Sequence, residues 1–368
     1  MNEELKSNGL LKFKLFKYGL NITDIQLQEL LRQGYRIPSI VRTGASHGIE
    51  SIINKQLEVN IPINKKSCIT LSDDFKYLVV DNKFLCSIEI LKNPYVYNLS
   101  LGNNEIIKGV AKICYDRLGI AVNTSCHFKT KGIGCKFCGI EHSSHFFENI
   151  ILSKQQVLDI LENAINRLGA NIIRHILLSG GTFNPPDYGA GIFSKIAKAI
   201  KNKYPNLSIY VMMPPPEIND KLQLMIDSGI EEIGLNIELI NEKNRKEMIP
   251  GKNQIGLTRY LSALEYLSKK MPKFGARSLL MGGVESAEDT LRGIEMICNV
   301  GAMPIISYYR PIGNEKIKNV FDSETEIFNL WERANDIAEE RDMVIGPICI
   351  PCQNNVIALP NSDYHKYY

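Results

Sequence analysis

Three cysteines, Cys126, Cys135 and Cys138, lie in the stretch SCHFKTKGIGCKFCG, a C-x8-C-x2-C spacing. Gly132 and Gly134 sit between the first two, so the backbone there is free to turn back on itself. Thiolates are soft ligands, and three on one loop suit either iron–sulfur chemistry or zinc. A closed zinc site needs a fourth donor, and His127, His142 and His145 are close enough in sequence to supply one. An iron–sulfur cluster on three cysteines would instead leave one iron open to an outside ligand. Three thiols packed as ordinary apolar residues are the plainest alternative. A second group, Cys349-Ile350-Pro351-Cys352, is half a metal site, open to an auxiliary cluster or to zinc, or else a redox pair or two idle thiols. Cys298 or Cys114 are candidate helpers for it, while Cys68 and Cys86 read as small core hydrophobes.

Residue pattern indicates what must position these groups. Leu118–Val122 is a short apolar run that ends at Asn123 and Thr124, immediately before the cysteine loop. A helix follows, with a Ser153/Gln156 capping box, an apolar face on Val157, Leu158, Leu161, Ile165 and Leu168, and a stop at Gly169. The same plan recurs: strands near Ile176–Leu178, Ile209–Met212, Ile233–Leu239, Ser278–Leu280 and Pro304–Tyr309. Helices are predicted at Ile192–Lys203, Asp220–Ser228, Leu257–Lys269, Ala287–Val300 and Glu324–Arg341. Six strand-then-helix units argue for a parallel sheet, because parallel neighbours need crossovers. A doubly wound sheet and a partial barrel both satisfy that pattern. The first ~110 residues differ, with a helix at Asp24–Arg32, a polar loop at Val41–Ser51 and short alternating runs at Ile69–Leu71, Tyr77–Val80 and Phe84–Ile90. The resulting division is an α+β cap region over 1–112, a barrel over 113–345 and a C-terminal extension over 346–368 that carries the C-x2-C pair.

Composition narrows the function classes. The chain has 368 residues, 44% hydrophobic and 23% charged, as expected of a globular protein with a large core. Its 43 basic and 40 acidic residues leave a net charge of +3, which gives no reason to invoke a nucleic-acid partner. The start, Met1-Asn2-Glu3-Glu4, is acidic, and Lys12, Lys14 and Lys17 interrupt the apolar residues that follow, unlike a secretory signal. No run approaches the ~18 apolar residues of a membrane span. A cytoplasmic setting with reduced thiols and no membrane partner is therefore expected.

A three-cysteine loop after the first of six βα units, with the aromatic Phe137 just before the last cysteine, resembles the radical S-adenosylmethionine (radical SAM) superfamily. The usual spacing there is C-x3-C-x2-C, five residues shorter than here. More narrowly, C-x8-C-x2-C-G-I-E with G-G-T, Y-x-R-P-x-x, the Arg42–Ser46 loop and the final cysteine pair is similar to radical SAM proteins associated with bacterial nitrilase-type gene clusters. The superfamily resemblance, over about 117–345, implies an α/β fold, a partial (β/α)6 barrel with an N-terminal α+β cap and a short C-terminal extension. It implies that Cys126, Cys135 and Cys138 hold a [4Fe–4S] cluster whose open iron binds S-adenosylmethionine. Reductive cleavage then yields a 5′-deoxyadenosyl radical that abstracts hydrogen from a small substrate. An electron donor of the flavodoxin or ferredoxin type is also implied.

The resemblance assigns further roles. Phe137 would lie against the adenine. Ser179, Gly180, Gly181 and Thr182 stand where the family carries Gly-Gly-Glu beside the methionine amino group, Thr182 replacing the acid. Glu238, with Asn236 two residues before it on the same strand face, would take the ribose hydroxyls. Arg277 or Arg310 would pair with the methionine carboxylate, and Arg277, Arg310 and Arg42 together suit an anionic, amino-acid-like substrate. Apart from the resemblance, Met212–Pro216 ends the third strand and either lines the cavity or packs as a rigid turn. Two rival readings stand beside this: a sulfur-inserting radical SAM enzyme with an auxiliary cluster at Cys349 and Cys352, and a zinc-stabilised, non-enzymatic binding protein.

Overall fold

The computed structural model describes residues 3–35, 48–92, 98–100, 106–108, 110–139, 150–169, 172–310 and 317–367. The strands in chain order are β1 (Gly48–Ile53), β2 (Leu57–Pro62), β3 (Ile69–Leu71), β4 (Tyr77–Val80), β5 (Lys83–Ile90), β6 (Asn98–Ser100), β7 (Ile106–Lys108), β8 (Ala111–Cys114), β9 (Arg117–Asn123), β10 (His175–Gly180), β11 (Ser208–Met212), β12 (Glu232–Gly234), β13 (Ala276–Gly282) and β14 (Met303–Tyr308).

β8 to β14 form one seven-stranded sheet in strict sequence order, and β9 to β14 are parallel. A doubly wound sheet reverses direction at a switch point; an order that never reverses curls into a half barrel. Helices at Lys154–Leu168, Ala190–Lys203, Asp220–Asp227, Leu257–Ser268, Ala287–Asn299 and Glu324–Glu339 accompany the strands. The Ser153/Gln156 capping box forms as the spacing predicts. β8, absent from the sequence reading, adds to β9 as an antiparallel hairpin partner. β12 is shorter than the predicted Ile233–Leu239. Its ladder to β13 pairs Ile233 with Ala276 and Gly234 with Arg277, so Asn236 and Glu238 lie beyond regular strand.

The N-terminal region holds more regular structure than its sequence suggests. β1 and β2 pair antiparallel and join a five-stranded sheet in the order β2-β1-β5-β4-β3; β1 begins inside the stretch expected as a polar loop. Glu3–Tyr18 is a helix, and its lysines do not interrupt it. Lys12 is fully buried and donates to the carbonyls of Gln353 (2.9 Å) and Ala358 (2.8 Å). Lys17 donates to the Phe321 carbonyl. These amino groups satisfy carbonyls of the distant C-terminal part, while Phe13 and Phe16 pack into the core beside them. Lys112 of β8 meets Glu50 of β1 at 2.7 Å, a largely buried pair linking the two sheets. The hydrophobic core runs without a break from Phe13 through β9–β14 to Leu359. Among the described residues no helix is long and apolar enough to cross a membrane.

Burial lowers the Lys12 pKa from 10.5 to about 7; Glu58 opposes the drop and Arg310 adds to it. Between those pH values the unfolded chain binds a proton that the folded chain lacks, so stability rises with pH, by up to ~1.4 kcal/mol per unit. Urea unfolding between pH 7.5 and 9.5 is expected to show this slope, and Lys12→Met to flatten it. Equal slopes in both proteins would contradict the assignment.

Candidate active site

β9 delivers the cysteine loop to the C-terminal edge of the sheet, where polar groups converge in barrels of this kind. Asn123, the last residue of β9, ties the loop to the end of β10: its Oδ1 accepts from Ser125 N (3.0 Å) and its Nδ2 donates to Gly181 O (3.1 Å). Gly181 N returns a bond to Asn123 O (2.7 Å), and His127 N donates to Thr182 O (2.8 Å). A Cβ on Gly181 would fall 1.7 Å from the Ser125 carbonyl oxygen and 2.9 Å from Cys126 Cα. Gly180, at φ +132°, would put a Cβ 2.3 Å from Asn123 O. Both glycines are required by the approach of one backbone to another, and that approach sets where Cys126 stands. Cys126 then caps the short helix His127–Thr130.

The remainder of the loop rests on the helices Glu242–Met248 and Pro250–Ile255. Lys136 N donates to Met248 O (2.9 Å), Gly251 N to Ile133 O (2.9 Å), and Cys138 N to Cys135 O (3.2 Å). A Cβ on Gly251 would strike the Phe128 ring at 2.5 Å. Phe137 is buried with Leu239, Ile249 and Tyr309, and Cys135 packs against that group. Burial pushes the Cys135 thiol up to about 12, with Lys252 opposing and Cys138, Glu238 and Cys126 reinforcing. The three sulfurs thus share one neighbourhood with an acid and a lysine.

Tetrahedral zinc, with ~2.3 Å bonds to sulfur, would draw its donor atoms to roughly 3.8 Å of one another. Among the described residues, the group whose donor atoms all lie within 4.8 Å is Asp116, His175, Cys349 and Cys352, and the loop cysteines are not in it. An iron–sulfur cluster binds each cysteine through a different iron and suits a wider spacing. The donor set of three thiols on one loop fits such a cluster. His127 is engaged elsewhere, its Nδ1 2.7 Å from Asn184 Oδ1. His142, His145 and Arg42 lie outside the described residues.

Glu238 stands at φ +69° within a γ-turn closed by Leu239 N donating to Ile237 O (2.9 Å). A non-glycine residue held there is strained, and such strain gathers at functional sites. Its Oε1 receives Lys252 Nζ at 2.7 Å, and the same ammonium donates to Asn236 O at 3.0 Å. Burial works against the Lys252 charge, but Glu238, Tyr260 and Cys135 hold it above the ordinary lysine value. Asn236 instead turns its side chain to the sheet, accepting from Leu279 N and donating to Met212 Sδ, the residue that ends β11. The alternation that would aim Asn236 and Glu238 together does not extend into this turn.

The two arginines separate. Arg310, just past β14, is half-buried over the Phe16 ring and donates to Asn60 Oδ1 at 2.6 Å; its Nε and Nη2 have no hydrogen-bond partner among the described residues. It lines a cavity of about 410 Å³ with Tyr18, Pro62, Asn64 and Tyr309. Burial lowers its pKa to about 10, Tyr308 opposing. Arg277 stands at the start of β13, bound to Glu232, stacked on Tyr210 and donating to Phe274 O, at the sheet edge opposite the cysteine loop. Its ion pair accounts for its burial there. Cys349 and Cys352 also lie at that opposite edge, beside His175 and Asp116; Cys114 accepts from Asn354 instead, and Cys298 is buried in the helix Ala287–Asn299. Lys252, Asp116 and His175 are the residues the sequence reading missed. Lys252 follows a Pro-Gly pair with no motif around it, and Asp116 and His175 meet only through strand pairing.

Residues 120–297, just under half of the chain, match the family model described as Radical SAM superfamily. The chain is 24% identical over 195 residues to a lipoyl synthase of Sulfolobus acidocaldarius, covering 52% of this chain and 64% of the relative. It is 25% identical over 150 residues to a lipoyl synthase of Halobacterium salinarum (40% and 45%). It is 21% identical over 230 residues to 5-amino-6-(D-ribitylamino)uracil–L-tyrosine 4-hydroxyphenyl transferase 1 of Methanosarcina barkeri (55% and 56%). The matches thus span about half to two thirds of the length of these relatives.

Gly181→Ala should displace Ser125 and Cys126 and strongly reduce the iron that the purified protein retains. Gly132→Ala adds a Cβ with nothing within 4 Å and strains only one φ angle of +72°, so it should keep most of its iron. Equal iron in both variants, measured against protein concentration, would show that the Gly181 contact does not position the loop.

Proposed function

We propose that this chain, whose residues 120–297 match the radical SAM family model, is a radical S-adenosylmethionine enzyme acting on a small, anionic, amino-acid-like substrate. The observation that carries the reading is the seating of Cys126, Cys135 and Cys138 at the C-terminal end of β9, facing the Glu238–Lys252 pair. Bound there, a [4Fe–4S] cluster would supply the electron that cleaves S-adenosylmethionine to methionine and a 5′-deoxyadenosyl radical.

The chain's own residues then have distinct tasks. The three thiolates hold the cluster, and Lys252 offsets their charge. Lys252 also fixes Glu238, whose carboxylate is free to accept ribose hydroxyls through its second oxygen. Phe137 presents its ring to the adenine, and the backbone of Ser179, Gly180, Gly181 and Thr182 borders the methionine end. Leu239, Ile249 and Tyr309, with Met281 and Val284, keep that neighbourhood apolar, which a reactive radical requires. The unpartnered N–H groups of Arg310 suit an anionic substrate group. One relative's name cites tyrosine and an aminouracil, and the likeness to proteins of nitrilase-type gene clusters also fits a nitrogen-containing small molecule. A flavodoxin- or ferredoxin-type protein would deliver the electron.

The lipoyl synthase similarity favours a sulfur-inserting reading. Against it, the C-terminal cysteines lie near the start of β9, whose seven residues put roughly 20 Å between the two ends. A sulfur donor there is too remote from the loop.

The test is anaerobic reconstitution, followed by addition of dithionite and S-adenosylmethionine and detection of 5′-deoxyadenosine. The wild type should form it, and Cys135→Ala should lose both iron and product. Glu238→Gln should keep its iron but raise the KM for S-adenosylmethionine roughly 10-fold, the worth of one charged hydrogen bond. Product formation undiminished in Cys135→Ala, or zinc in place of iron in the wild type, would sink the proposal.

A further inference from the structure

We propose that Asp116, His175, Cys349 and Cys352 form a closed zinc site that fastens the C-terminal extension to the first strands of the half barrel. The donors come from three separate parts of the chain. Asp116 lies in the two-residue turn between β8 and β9, His175 begins β10, and Cys349 and Cys352 flank the entry to the 3-10 turn Pro351–Asn355. Their separations match a tetrahedron. Bonds of ~2.0–2.3 Å from zinc to oxygen, nitrogen and sulfur place neighbouring donor atoms roughly 3.4–3.8 Å apart. His175 Nε2 is 3.5 Å from Cys352 Sγ, 3.7 Å from Cys349 Sγ and 3.3 Å from Asp116 Oδ1, and Cys349 Sγ is 3.9 Å from Asp116 Oδ1. All four donor atoms lie within 4.8 Å of one another.

The chemistry selects the metal. Two thiolates, an imidazole and one carboxylate suit zinc, and with two sulfurs rather than four the set is poor for a cubane cluster. Three anionic ligands around a dication leave one negative charge, and the Arg117 guanidinium is near enough to both thiols to interact with them electrostatically, its buried Nε having no hydrogen-bond partner among the described residues. His175, Cys349 and Cys352 are buried, so four protein ligands fill the coordination sphere and leave no position for substrate.

The site's placement indicates its task. The C-terminal extension pairs with the outer edge of β14, through Ile305 with Gly346, Ser307 with Val356 and the Ile357 N to Ile306 O bond. Cys349 and Cys352 carry the same segment to the turn before β9 and the start of β10, and Asn354 donates to Cys114 of β8. The metal would thus bridge the two ends of the sheet that strand pairing leaves apart. The site lies away from the cysteine loop and does not depend on the activity proposed above.

The test uses full-length protein in which Cys126, Cys135 and Cys138 are all changed to alanine, purified after growth with zinc. About one zinc per chain is expected, with X-ray absorption showing two sulfur neighbours near ~2.3 Å and two nitrogen or oxygen neighbours near ~2.0 Å. Cys349→Ser/Cys352→Ser in the otherwise wild-type chain should lose the zinc, keep the loop's iron and melt at a lower temperature. If that variant fails to fold, the absorption spectrum of the first protein still decides. Absence of zinc, iron bound in its place, or a Cys349–Cys352 disulfide found by alkylation and mass spectrometry would each overturn the proposal.

Discussion

The contact on which the rest of the site depends is between two backbones. The Ser125 carbonyl and Cys126 Cα press against Gly181 at a distance that admits no side chain. Asn123 locks this contact from both directions, its side chain bonding the loop and Gly181 together. The parallel pairing of β9 with β10 brings the two segments to the same sheet edge, and the bulge at Ser179 and Gly180 lets β10 turn under the loop. A loop with eight residues between its first and second cysteines would otherwise have little to define its course. Here its start is set by glycine packing and its end by the helices at 242–255.

Much of the barrel was legible because its physics is periodic. Five of the six expected strands of the parallel sheet fall where the apolar runs stand, and the capping box at Ser153 marks its helix start. The sequence order of the sheet could not be read from periodicity, since strand and helix spacing are the same in open and curled sheets. The N-terminal region misled for a different reason. Lys12 and Lys17 look like interruptions of an apolar face, yet each meets a carbonyl from a segment some 300 residues away. Such compensation is a tertiary fact with no local trace.

The site divides along the same line. The loop cysteines, Gly180, Gly181 and Glu238, singled out by local spacing, lie near one another in the structure. Lys252 was not, because its importance comes from the Glu238 and Cys135 that it faces. Arg277 illustrates the converse error. An arginine on a barrel strand can serve either end of the barrel, and strand register decides which; pairing with Gly234 and Met303 puts Arg277 at the end away from the loop, where Glu232 and Tyr210 satisfy it.

The molecule therefore concentrates its sulfur chemistry at two ends of one sheet. The cluster proposed at the loop would keep one metal position open, whereas the zinc proposed at the C-terminal tetrad would be held by the chain's own four donors. The most direct measurement of that difference is Mössbauer spectroscopy of protein reconstituted with iron-57, before and after S-adenosylmethionine. A change confined to a single iron site would follow from three cysteine ligands and one open position. A spectrum unchanged by S-adenosylmethionine, with all irons equivalent in their response, would contradict the account.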